Sequence, residues 1–268
     1  VGCSNVRDNP GDLKRRYNFI VHLPQIVRDV VDFIYPGRCA ACGDDSPGGE
    51  LLCHGCDSGL DNLAVEAACE RCALPVVSKG APCPWCRGRG LYPFEKIVRL
   101  GKFAEPLREL IHSMKYHHRW TLAESLADRM LCEERVKQLI NDADVLVPVP
   151  LHWSRQIGRG YNQADVLAGV LAGRCGLPVA RPMKRIRRTP SQTGIHSRTV
   201  REENVRGAFA LTNGDIIRDK RVVVVDDVMT TGATLQTVGR LLKSARPHKL
   251  SALVVAVADP KGQDFQII

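Results

Sequence analysis

The stretch 222-VVVVDDVMTTGAT-234 sets four valines against two adjacent carboxylates and a run of threonines around one glycine. The valines predict a strand buried on both faces, because β-branched residues without polar alternation fit a sheet covered on each side. That strand is expected over 221–226, ending at Asp226, with a loop after it and a helix over 231–245. The helix carries Leu235, Val238, Leu241, Leu242 and Ala245 on one stripe. Open α/β sheets bind ligands at the carboxyl ends of their strands, where this loop would lie. The helix start offers free N–H groups to an anion; Gly232 and Ala233 admit close backbone approach, and Thr230, Thr231 and Thr234 add hydroxyls. Asp226 and Asp227 would repel a phosphate but suit sugar hydroxyls or a hydrated Mg2+. A phosphorylated sugar satisfies both halves.

Further strands are expected over 96–100, 144–149, 207–211 and 250–258, and helices over 104–115, 121–139 and 162–173. Alternating strands and helices over 91–268 define an α/β domain: a parallel sheet flanked by helices. Residues 181–206 show little apolar periodicity and are expected to form a long loop, of the functional or mobile kind. Residues 1–36 form an arm. Within it, 23-LPQIVRDVVDFIYP-36 predicts a short amphipathic helix stopped by Pro36.

Eight of the eleven cysteines fall into four Cys-x-x-Cys pairs: 39-CAAC-42, 53-CHGC-56, 69-CERC-72 and 83-CPWC-86. Cys3, Cys132 and Cys175 are scattered. Residues 37–90 hold too few apolar runs for a sizeable core, so something else must hold them together. A Cys-x-x-Cys turn presents two sulfurs to one metal, and two turns complete a tetrahedral zinc site. Sequential pairing gives one site from Cys39, Cys42, Cys53 and Cys56, and another from Cys69, Cys72, Cys83 and Cys86. Short loops that suit hairpins favour this over an interleaved arrangement. Redox dithiols and an iron–sulfur cluster are the competing readings. His54 sits inside a knuckle as a bystander or a substitute ligand. Four thiolates leave no open coordination position, so each zinc would be structural.

Lys and Arg total 38 against 29 acids among 268 residues, which suits an anionic partner. No stretch has the ~20 continuous apolar residues of a membrane span. The start lacks the order of a secretory signal, and a cytoplasmic protein is expected.

The stretch 222–234 resembles the phosphoribosyl pyrophosphate (PRPP) motif of type I phosphoribosyltransferases. The resemblance implies that Asp226 and Asp227 contact the ribose hydroxyls and that Thr230, Thr231, Gly232, Ala233 and Thr234 hold the 5′-phosphate, with Mg2+ accompanying PRPP. A second loop, 147-VPVPLHWSRQIGRGYNQA-164, would take the pyrophosphate through Val149, Pro150, Leu151, Arg155 and Arg159. Together with 111-IHSMKYHHR-119 and 189-TPSQTGIHSRTVREENVRGAF-209, these segments resemble the ComF/GntX family over roughly 30–258. Its members join a cysteine-rich zinc module to a type I phosphoribosyltransferase-like domain; some carry only four cysteines, so eight implies a doubled ribbon. The family is implicated in handling single-stranded DNA during transformation or in using DNA as a nutrient.

Lys184, Arg185, Arg187, Arg188 and Arg198 would then track phosphates, and Lys115 with Tyr116 would form a second basic–aromatic patch. A solvated loop for the arginines and helix-end packing for Tyr116 are the plainer readings. Two alternatives belong to other classes: an active transferase acting on an unidentified base, and a zinc-ribbon adaptor for a DNA-processing helicase or uptake protein.

Overall fold

The computed structural model describes residues 37–46, 50–65, 67–117, 119–153, 160–187, 205 and 207–259. The arm with its expected helix, and Arg155, Arg159, Arg188 and Arg198, lie outside the described residues.

The strands are β1 (Ile97–Lys102), β2 (Val145–Pro148), β3 (Met183–Arg185), β4 (Phe209–Leu211), β5 (Arg221–Met229) and β6 (Lys249–Val257). The helices are α1 (His54–Val65), α2 (Leu107–Tyr116), α3 (Leu122–Cys132), α4 (Glu134–Asn141), α5 (Gln163–Cys175) and α6 (Ala233–Lys243). Four strands form a parallel sheet in the order β1-β6-β5-β2, and β3 pairs antiparallel with β4 beside it. Among the described residues no helix is long and apolar enough to cross a membrane.

The valine runs are buried on both faces because each face has its own cover. Val223, Val225, Leu253 and Val255 pack with Leu107, Leu110, Leu122, Leu126, Val136 and Leu167 from α2 to α5. Val222, Val224, Ala252 and Val254 pack with Leu235, Val238 and Leu242 of α6 and with Phe209. The cysteine-rich segment divides between these layers. Ala40, Leu60 and Ala64 join the first, while Cys72, Ala73, Leu74 and Cys83 join the second. Residues 37–90, expected to lack a sizeable core, therefore borrow one from each face of the sheet.

Several expectations are corrected. The strand expected to end at Asp226 continues to Met229, because β6 supplies partners that far, pairing Asp226 with Val254 and Met229 with Val257. The single helix expected over 121–139 breaks at Glu133, which is extended (φ −75°, ψ 124°). The stripe Leu122, Leu126, Met130 would run on into Glu133, Glu134 and Lys137; the break instead turns Val136, Leu139 and Ile140 inward. The helix expected from 231 starts at Ala233, after Gly232 turns the chain at φ +77°. The long loop expected over 181–206 contains strand β3, whose Met183 and Arg185 pair with Leu211 and Phe209. In place of knuckle hairpins there are single bridges, Arg38 with Asp45 and Ala68 with Pro75, and α1 begins inside the second knuckle.

Candidate functional site

The site arises from a difference in pairing along β5. β6 accompanies it to Met229, but β2 leaves after Pro148 pairs with Val225 and the Val149 N–H donates to the Val225 carbonyl (2.9 Å). Beyond that point, among the described residues, no strand pairs with that side of β5, and Asp226 and Asp227 stand there. Pro150 and Leu151, which follow the end of β2, are partly buried, while Val149 remains in the core. The crevice thus lies at the carboxyl ends of β2 and β5, the usual ligand position in such sheets.

Each carboxylate accepts a hydrogen bond from the next backbone N–H: Asp227 N–H to Asp226 Oδ1 (2.9 Å) and Val228 N–H to Asp227 Oδ1 (2.6 Å). Lys115 Nζ pairs with Asp227 Oδ2 at 2.9 Å. Burial first, then the charge of Asp227, pushes the Asp226 carboxyl up to about 7; the Asp227 N–H, Lys115 and Arg185 oppose that rise. Thr230, Thr231 and Thr234 are partly exposed around the buried Gly232 and Ala233. The Ala233 N–H reaches Thr231 Oγ1 at 3.4 Å, a weak bond that an oxyanion can replace. The first turn of α6 adds the positive end of its dipole.

Two segments meet at this crevice in a way that spacing alone did not foretell. The Tyr161 hydroxyl and Gln163 Nε2 (3.5 Å) both donate to the carbonyl of Met114, the residue before Lys115. Asn162 Nδ2 donates to the Val149 carbonyl at 3.0 Å. Tyr161, Asn162 and Gln163 therefore tie the end of α2 to the end of β2 and set Lys115 against Asp227. The sequence stretch 159-RGYNQA-164 was the available signal, but its role as a clamp needed the tertiary contact.

Of the residues expected to meet nucleic acid, Lys115, Tyr116, Lys184, Arg185 and Arg187 are among those described. Lys115 is at the acid pair, and Tyr116 beside it is 50% exposed. Lys184 is exposed on β3, and Arg187 is exposed just past its end. Arg185 lies over the Phe209 ring, 5.2 Å from its centroid, and acts on Asp226 electrostatically.

The eight paired cysteines form two separate clusters, sequentially paired, with all sulfurs in each within 4.8 Å of one another. The Sγ–Sγ separations are 3.6 Å for Cys42 and Cys53, 3.7 Å for Cys69 and Cys86, and 3.6 Å for Cys72 and Cys83. A tetrahedron with Zn–S bonds of about 2.3 Å has edges of ~3.8 Å, so the residues fit zinc closely. Burial, then the charges of Cys69, Cys83 and Cys86, pushes the Cys72 thiol up. Burial raises Cys39 too, but N–H bonds from Cys53, Cys42 and Ala41 outweigh it and bring the thiol down to about 6. A cation is what allows four such thiols to ionise together. His54 belongs to neither cluster.

Comparison with known proteins agrees with this architecture. Residues 30–87 match the double zinc ribbon domain and residues 153–266 the phosphoribosyl transferase domain. Competence protein F of Haemophilus influenzae is 30% identical over 212 residues, covering 77% of this chain and 90% of that protein. DNA utilization protein YhgH of Escherichia coli K12 is 30% identical over 213 residues, covering 77% and 91%. Among solved structures, the glutamine PRPP amidotransferase of B. subtilis complexed with ADP and GMP has a TM-score of 0.35 at 22% identity, covering 51% of this chain and 26% of that one. Fold and clusters define a phosphoribosyltransferase-type domain joined to a double zinc ribbon with two zinc sites. The chain belongs to the ComF/GntX family of competence and DNA-utilisation proteins.

Proposed function

We propose that this protein binds PRPP with Mg2+ in the crevice between β2 and β5, and binds single-stranded DNA along its basic rim, in DNA uptake or utilisation. The observation that carries the reading is the acid pair on the stretch of β5 that β6 accompanies and β2 does not, one residue pair upstream of a threonine-lined loop that opens α6. In this reading Asp226 and Asp227 accept bonds from the ribose 2′ and 3′ hydroxyls. Residues Thr230 to Thr234 hold the 5′-phosphate with hydroxyls and backbone N–H groups. Val149, Pro150, Leu151, Arg155 and Arg159 form the pyrophosphate loop. Lys115 offsets one carboxylate charge beside the phosphates.

For DNA, Lys184, Arg185, Arg187, Arg188 and Arg198 supply phosphate contacts, and Tyr116 a stacking face. Calorimetry with PRPP and Mg2+ tests the first half; no heat at any magnesium level from folded protein defeats it. Fluorescence anisotropy with a short single strand across a salt series tests the second. Lys184→Ala is expected to lower the slope of log K against log salt by about one contact.

A second reading, phosphoribosyl transfer to a base, is favoured by the match to the phosphoribosyl transferase domain. Pyrophosphate release with PRPP and a panel of bases tests it, and silence across the panel counts against it. The adaptor reading is tested on the full chain with Cys42→Ser, which removes the first zinc site: partner binding lost with PRPP binding kept would support it.

A further inference from the structure

The two ribbons touch the domain in different places, and only one of these contacts reaches the phosphate loop. The first ribbon sits on β1, α2 and α3. Gly59 packs on Pro106, Leu63 packs on Gly101, and Arg129 pairs with Asp57 and Asp61.

The second ribbon continues from 83-CPWC-86 through a turn to Leu91. In that turn the Arg87 N–H donates to the Cys83 carbonyl and the Arg89 N–H to the Cys86 carbonyl, both at 2.9 Å. Arg71, inside the third knuckle, donates to the Gly88 carbonyl at 3.0 Å and packs on Gly90, where a β-carbon would lie 3.3 Å from Arg71 Cβ. On the far side, the Phe94 N–H donates to the Leu91 carbonyl and the Glu95 N–H to the Leu250 carbonyl, both at 2.9 Å. Leu91 is thus held between two knuckles and the sheet.

Its side chain rests on Gly232. A β-carbon there would lie 2.8 Å from Leu91 Cδ2, so no larger residue fits without displacement. Gly232 is the left-handed residue that turns the chain into α6. Two turns on, a β-carbon at Gly239 would meet Pro93 Cδ at 2.7 Å and the Phe94 ring at 2.8 Å. Two glycine notches on one element therefore seat the segment that leaves the second ribbon.

We propose that the second ribbon is a positioning element of the phosphate loop, acting through Leu91 on Gly232. The inference rests on the reading of 230–234 as the phosphate loop, and it couples zinc at Cys69, Cys72, Cys83 and Cys86 to phosphoribosyl affinity. A loop that loses its backstop populates its binding conformation less, and the apparent Kd rises in inverse proportion.

The test uses full-length wild type, Leu91→Ala, Leu91→Met, Leu63→Ala and Cys72→Ser, each assayed for zinc content, amide hydrogen exchange and PRPP binding. Leu91→Ala is expected to keep two zincs, to exchange about tenfold faster over 230–234, and to bind PRPP about tenfold more weakly. Leu91→Met restores both, and Cys72→Ser reproduces both with loss of one zinc. Leu63→Ala, which truncates the first ribbon's packing on the core, leaves loop exchange unchanged. Unchanged exchange over 230–234 in Leu91→Ala overturns the proposal, as does an equal rise in Leu63→Ala. Faster loop exchange in a protein whose wild type binds no PRPP supports the positioning role and defeats the ligand reading instead.

Discussion

Asp226 is a side chain whose environment works against its own charge. Burial and the neighbouring Asp227 hold its carboxyl near 7, above the ordinary 3.8. The native state then binds that proton more tightly than the unfolded chain. The stability this contributes is complete below pH 3.8 and is lost as pH rises through 7. Asp226→Asn, neutral at every pH, is expected to raise Tm by a few degrees at pH 8 and to leave it unchanged below pH 4, which paired melting curves will show. The same substitution should cost phosphoribosyl affinity, as should Asp227→Ala, by about tenfold to a hundredfold for each lost charge-assisted bond. Zinc content should stay at two per chain. Calorimetry and metal assay separate these effects. Both acids and the threonine loop were legible in sequence, since their order along the chain is their order in space. The pairing of Lys115 with Asp227 was not, because it joins residues from different elements.

At the scale of elements, the two ends of the sheet do different work. The carboxyl ends of β2 and β5 part to make the crevice. Their amino ends are laced shut: Arg221 bonds Asp144 and Asp142, and Lys249 bonds Asp142 and Glu95. Side-chain bonds from Arg221, then its backbone N–H, bring the Asp144 carboxyl down to about 2. A lowered carboxyl contributes stability above its unfolded value that disappears as pH falls through the folded one. Asp144→Asn is therefore expected to lower Tm at pH 7, with the deficit closing as pH approaches 2; thermal denaturation across that range checks it. The positions of β2, β5 and β6 followed from the valine-rich runs, because contiguous β-branched residues fit a sheet covered on both faces. The break at Glu133 did not, since helix propensity runs through it; the extended backbone there re-aims the chain so that Val136, Leu139 and Ile140 are buried.

Across the whole molecule, the sheet is gripped from both sides by one cysteine-rich segment. Each buried Val or Leu in those layers is worth roughly 1.5–3 kcal/mol, so the ribbons share a core that neither could build alone. Cys42→Ser is expected to reduce bound zinc from two to one and to unfold the first ribbon, while the second site keeps its metal. Metal quantification with circular dichroism will show it. Composition and spacing alone pointed to a parallel α/β domain and to two four-cysteine zinc sites, and they set a small, hydroxylated loop directly after the acid pair. These are local properties: periodicity, knuckle spacing and a strand–loop–helix order are written in contiguous residues. Only the tertiary structure set a ribbon on each face of the sheet, clamped α2 to β2 through Tyr161, Asn162 and Gln163, and brought Leu91 onto Gly232. Those contacts join residues far apart in the chain, and the packing that selects them exists only once the sheet has formed.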